Sequence, residues 1–176
     1  KCLGCAVIVF NGFFGWISDI TGLTGVIGSQ LSIEMVLGWI LAPVAWIIGV
    51  EWSDATTMGS LIGTKIVLNE FVAYLKLADE VSAANISPKT IAMATFALCG
   101  FANFSSIAIQ IGGIGGLAPE RKSDLAKFGI KAVFAGTMAT MMTATIAGML
   151  WGLIIPAPSI AAVFKPSTLR ASFAAF

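Results

Sequence analysis

Histidine is absent from this chain, tyrosine occurs once, and charged side chains make up 11% of its 176 residues. A soluble domain carries roughly 25% charged residues. This sequence therefore has too little polar side chain to cover a water-facing surface. Its mean hydropathy of +0.93 points the same way, and the two together argue against a cytosolic globular enzyme. The net charge of +1 argues against nucleic acid as a partner, which needs a basic stripe to displace phosphate counterions. Cysteine stands only at positions 2, 5 and 99, an odd number that offers no disulfide framework. Cys2-x-x-Cys5 has neither a second cysteine pair nor a histidine to complete a zinc site, so no metal is expected.

What the chain has instead is long uncharged runs. No charge falls between Lys1 and Asp19, Glu34 and Glu51, Lys89 and Glu120, or Lys131 and Lys165. A spanning helix needs about 20 mostly apolar residues; the last two runs exceed that, the first comes close and the second falls short. Residues 131–151 lead from a cation to an interfacial tryptophan, roughly 30 Å of helix at 1.5 Å per residue. Residues 2–18 lack both a basic leader and an A-x-A cleavage site, so they do not read as a signal peptide. The expected fold class is an all-α polytopic membrane protein.

Five regions follow from the pattern. Residues 1–28 read as a scaffold transmembrane helix, with glycines 12, 15, 22, 25 and 28 thickening toward its end. Residues 31–50, with Glu34, Trp39, Trp46 and Pro43, read as a kinked or interfacial helix. Residues 51–85 open on Trp52-Ser53-Asp54, carry Lys65 and Glu70, and end in Lys76, Asp79 and Glu80. That is too polar for two crossings and suits a re-entrant hairpin. Residues 87–152 start at the helix-initiating pair Ser87-Pro88. Their stretch Cys99-Gly100-Phe101-Ala102-Asn103-Phe104-Ser105-Ser106 is small and polar inside an uncharged run, which predicts a discontinuous helix. Pro119-Glu120 then restarts a final transmembrane helix, and residues 153–176 read as a peripheral tail. Arg121, Lys122, Lys127 and Lys131 precede that last crossing and place its start in the cytoplasm, with the hairpin's ends and the C-terminus outside.

Glu70 is the residue that lipid would reject, since a carboxylate in an apolar helix costs on the order of 2.5–3.5 kcal/mol unless paired or wet. A structural reading pairs it with Lys65, although i,i+5 is not a favoured helical spacing. A functional reading makes it an acceptor for substrate hydroxyls near the hairpin tip. Asn103, Ser105 and Ser106 can donate and accept, toward a substrate or toward neighbouring helices. Gly112-Gly113-Ile114-Gly115-Gly116 follows no strand, so it reads as helix packing rather than a dinucleotide loop. Gly59-x-x-x-Gly63 and Gly148-x-x-x-Gly152 read as close-packing faces.

The segment Gly63-Thr64-Lys65-Ile66-Val67-Leu68-Asn69-Glu70-Phe71-Val72-Ala73-Tyr74 resembles the signature of concentrative nucleoside transporters. Residues 99–110, with the glycine run and Ala118-Pro119-Glu120-Arg121, resemble that family's penultimate helix. The resemblance spans residues from the first helix to about Gly152. It implies a trimeric symporter of nucleosides, purine or pyrimidine, in the cell membrane, of which this chain is the second of two inverted repeats. Carried onto this sequence, the resemblance implies that Glu70, Asn103 and Ser106 hold the ribose and that Phe101 packs against the nucleoside. Asn69 and Ser105 would support them from behind. The family's first hairpin and first broken helix have no counterpart here. The chain is therefore expected to be the C-terminal half of a longer protein, with the Na+ or H+ coupling ion bound mainly by the other half and no cofactor. The other reading is a non-transporting half-protein or subunit that packs with a transporter. An enzyme is not expected, because no histidine or paired carboxylates supply a nucleophile and base.

Overall fold

The computed structural model describes residues 2–22 and 32–154. Among the described residues it is helical throughout, with seven α-helices and one short 3-10 turn. Helix α1 covers Cys2–Thr21 and α2 Ile33–Ile47. Helices α3 (Trp52–Val67) and α4 (Glu70–Ser82) pack against each other as a hairpin. Helices α5 (Pro88–Leu98) and α6 (Phe104–Leu117) are the two halves of the discontinuous helix. The 3-10 turn Pro119–Arg121 leads into α7, Lys122–Ile154. The glycine-rich end of the first region after residue 22 and the tail beyond residue 154 lie outside the described residues.

Each boundary has a local cause. Ser32 Oγ accepts the Met35 N–H at 3.2 Å and starts α2, and Asn11 Oδ1 takes the Ile33 N–H at 2.9 Å, tying that start to α1. Pro43 lies inside α2 without ending it. The helix closes instead at Gly49, in left-handed conformation at φ +103, with the Val50 N–H returning to Ala45 O at 3.2 Å. Ser87 Oγ caps α5 through the Thr90 N–H, with Pro88 at the first helical position.

Packing brings α3 to the centre. Met58, Leu61 and Ile62 of α3, Ala42 and Ala45 of α2, Ala73 and Leu77 of α4, Met93 and Ala97 of α5 and Met141 and Ala144 of α7 form one buried core. The small-residue faces explain how the helices come so close. A Cβ on Gly59 would stand 2.5 Å from Gly38 O, and one on Gly63 would stand 2.7 Å from Leu37 Cβ. Gly148 packs on Met93, Gly129 on Ile107 and Gly136 on Ala102. The glycine run is less uniform. A Cβ on Gly112, Gly113 or Gly116 would meet nothing within 4 Å among the described residues, and one on Gly115 would meet the Lys122 side chain.

Pro119–Trp151 is long and apolar enough to cross a bilayer, while Met35–Ile47 and Phe104–Leu117 are shorter apolar helices. Phe128, Phe134, Met142 and Met149 of α7 and Phe13 and Trp16 of α1 are exposed. That much uncovered apolar surface needs lipid or further protein around it.

At the polar mouth of the hairpin, outside the apolar spans, Asp54 fastens α3 to the start of α5. Its Oδ2 accepts the Ser87 N–H at 3.0 Å. Burial pushes the Asp54 carboxyl up, but hydrogen bonds from the Ser87 N–H, Thr90, the Ser87 side chain and Ser53 outweigh it and leave the pKa below its ordinary value. A depressed carboxylate stabilises the fold above its unfolded pKa and loses that contribution as pH falls through the folded one. Asp54→Ala removes the acceptor and should cost about 1–2 kcal/mol. The thermal midpoint of the full-length protein in detergent is the readout; a drop of several degrees at pH 7 that shrinks below pH 4 is expected, and an unchanged midpoint at pH 7 would refute the latch.

Candidate functional site

Two helix interruptions meet at one place. The hairpin breaks at Leu68 and Asn69, where Asn69 leaves helical geometry and its Oδ1 accepts the Val72 N–H at 2.9 Å, capping α4. The second break covers residues 99–103. There Asn103 Oδ1 accepts both the Ser106 N–H at 2.8 Å and the Ser106 hydroxyl at 2.9 Å, capping α6. Both caps are asparagines because an amide oxygen reaches the orphan N–H groups of a first helical turn while its backbone stays extended.

The two breaks are stitched together by side chains. Asn103 Nδ2 donates to Glu70 Oε2 at 2.8 Å, and Ser105 Oγ donates to Leu68 O at 3.1 Å. Glu70 is the first residue of α4, so its carboxylate sits at the positive end of one half-helix and bonds the cap of another. The buried face of this arrangement is Asn103, 2% exposed; Glu70, Asn69, Ser105 and Ser106 are half-buried. Glu70 Oε1 accepts no hydrogen bond among the described residues, and Asn103 Nδ2 has a second N–H beyond the one given to Glu70. The cluster can therefore take further donors and acceptors from a polyhydroxylated molecule.

Each sequence-derived candidate has a definite place. Glu70, Asn103 and Ser106 form one continuous hydrogen-bonded chain. Asn69 and Ser105 secure the two breaks rather than face outward. Ser105 and Ser106 are helical, in the first turn of α6, so the expected unwound stretch is shorter than the polar segment and ends at Asn103. The reason is the cap itself, which starts the helix as soon as an Asn–Ser pair can satisfy it. Phe101 is 78% exposed and projects from the break. With Ser106, Gln110, Phe128 and Val133 it lines a cleft of about 580 Å³ between α6 and α7. Glu70 and Asn103 are not in that lining, so the cleft adjoins the polar cluster at Phe101 and Ser106 rather than containing it.

The sequence suggests Lys65 only as an ion-pair partner of Glu70, and its actual partners lie elsewhere. Lys65 makes no ion pair with Glu70; it is fully buried, and its Nζ donates to Ala97 O at 2.9 Å and Thr140 Oγ1 at 3.0 Å. The signal was present, since the cost of an ionisable group in an apolar segment applies to Lys65 as it does to Glu70. Tyr74, whose hydroxyl donates to Thr95 O at 2.7 Å, also braces the hairpin against α5 and drew no attention beyond its place in the motif. No group of three or more Cys, Asp or Glu able to hold a metal occurs among the described residues.

The family model for the C-terminus of Na+-dependent nucleoside transporters matches residues 3–148. The uncharacterized transporter YutK of Bacillus subtilis is 50% identical over 143 residues, covering 81% of this chain and 34% of its own length. The nucleoside permease NupC of Helicobacter pylori is 46% identical over 127 residues, covering 70% of this chain and 30% of its own. The solved inward-facing, substrate-bound structure of CNTnw superposes with a TM-score of 0.72 at 44% identity, covering 87% of this chain and 38% of that one. The chain thus spans about a third of the length of the curated relatives it matches.

Proposed function

From the premise that this chain belongs to the concentrative, Na+-dependent nucleoside transporter family, as its C-terminal region, we propose that it supplies the ribose-binding side of a nucleoside symporter. The observation that carries the reading is the 2.8 Å bond from Asn103 to Glu70, which joins two helix breaks and leaves one carboxylate oxygen open. Glu70 accepts hydrogen bonds from ribose hydroxyls. Asn103 and Ser106 complete the polar side, and the exposed ring of Phe101 packs against the nucleoside. Asn69 and Ser105 keep the two breaks in register. A vicinal diol matches this set well, because a hydrogen bond to a charged acceptor is worth about 1.5–3 kcal/mol.

The remainder of the assembly lies outside this chain. The α3–α4 pair is re-entrant, entering the membrane part-way, and the coupling ion, Na+ or H+, is held mainly by the N-terminal half. The protein is a homotrimer in the cell membrane, with the α7 start that bears Arg121, Lys122, Lys127 and Lys131 facing the cytoplasm and the C-terminus outside.

Competition for uptake by the full-length protein in proteoliposomes tests the reading. A 2′,3′-dideoxynucleoside should inhibit uptake of the parent nucleoside at least tenfold more weakly than the nucleoside itself. Equal inhibition by the two would sink the assignment of this cluster to ribose.

A further inference from the structure

The ribose reading uses the N-terminal ends of α4 and α6 and leaves unused what lies at the other ends of the same breaks. Lys65, in the last turn of α3, is fully buried. An amino group so enclosed has to give its protons to protein acceptors. One goes to Ala97 O at 2.9 Å. That carbonyl lies in the last turn of α5, where the break removes the next helical N–H and the partial charge is negative. Another goes to Thr140 Oγ1 at 3.0 Å. The Thr140 hydroxyl spends its own proton on Thr137 O at 2.9 Å, so toward Lys65 it is an acceptor.

The backbone of the break lies directly on this junction. A Cβ on Gly100 would stand 2.6 Å from Thr140 Cγ2 and 3.7 Å from Lys65 Nζ. One amino group thus joins the first arm of the hairpin, the end of α5 and the middle of α7, just ahead of the residues that lead to Asn103.

We propose that Lys65 is a positioning residue for the nucleoside site: by holding Ala97 O and Thr140 it sets the path of residues 99–103, and so the place from which Asn103 meets Glu70. The proposal rests on the ribose reading of the Glu70 cluster. A strut that merely stabilised the fold would affect yield and thermal midpoint without changing which part of the ligand is recognised.

The test compares binding of a nucleoside and its 2′,3′-dideoxy analogue to purified full-length protein, as wild type, Lys65→Met and Thr140→Val. Lys65→Met keeps length and loses every donor; it should weaken nucleoside binding at least tenfold while changing dideoxy binding less than twofold. Thr140→Val removes one acceptor without burying a new charge, and should cause a smaller loss, about threefold or more, again confined to the nucleoside. Wild-type preference for the nucleoside in both variants, or equal losses for both ligands, would overturn the proposal. If Lys65→Met yields no folded protein, Thr140→Val decides by the same criterion. Glu70→Gln run in parallel separates the two readings. If it abolishes the preference and Lys65→Met does not, the positioning role fails and the ribose site stands. Absence of any preference in the wild type would overturn both.

Discussion

Glu70→Gln in the full-length transporter should raise the nucleoside KM by roughly 10- to 150-fold, with protein level and thermal midpoint close to wild type. The figure follows from replacing a charged acceptor by a neutral one, about 1.5–3 kcal/mol, at 1.4 kcal/mol per tenfold. The fold should survive because glutamine keeps a carbonyl oxygen for Asn103 Nδ2, which now bonds Glu70 Oε2 at 2.8 Å. The open oxygen Oε1 becomes an amide nitrogen and stops accepting. Concentration-dependent uptake in proteoliposomes is the check, and a wild-type KM would remove Glu70 from the site.

Gly59→Ala should be the most damaging single methyl among the glycines whose surroundings are described, because α2 and α3 approach so closely there. Its new Cβ would stand 2.5 Å from Gly38 O, 2.9 Å from Ala42 N and 3.1 Å from Leu41 C. All three are backbone atoms of α2, so no side-chain rotation relieves the clash and α2 must move as a body. Overpacking costs about 1–3 kcal/mol where side chains can yield, and more is expected where they cannot. The displaced helix also rests on Gly63, whose Cβ would meet Leu37 Cβ at 2.7 Å. Full-length Gly59→Ala should therefore lose most of its folded yield in membranes, or melt many degrees lower in detergent. A midpoint within about 2 °C of wild type would show that α2 and α3 are less closely apposed than described.

Helix starts were the most legible part of the sequence, because they depend on neighbouring residues alone. Ser87-Pro88 opens α5, and Pro119 opens the turn into α7, each where local chemistry places it. The second break was legible as a region but not to the residue. Polarity marked 99–106, whereas the Asn103 cap restarts the helix at Phe104. Pro43 lies inside α2, within the single helix expected for residues 31–50, and the stop comes from Gly49 and its left-handed backbone. Glu70 stood out because a lone carboxylate in an apolar helix needs a reason, and its bond to Asn103 joins residues 33 positions apart. No spacing rule encodes such a contact; it depends on how the hairpin and broken helix dock. Lys65 carried the same signal of an ionisable group in an apolar segment, but its partners were illegible for that reason too. Its acceptors are a backbone carbonyl and a threonine 75 positions away, and neither bears a charge that sequence reasoning would match to it. In the glycine run, a Cβ on Gly115 would meet the Lys122 side chain while one on Gly112, Gly113 or Gly116 would meet nothing within 4 Å among the described residues, a difference that composition alone does not encode.

The most direct measurement is a density map of the full-length protein with a nucleoside bound. The account predicts a ribose hydroxyl oxygen within about 3 Å of Glu70 Oε1, a hydrogen-bonding distance, with Asn103 still bonded to the other carboxylate oxygen. A nucleoside seated wholly in the α6–α7 cleft, with no ribose oxygen within hydrogen-bonding distance of Glu70, would contradict it.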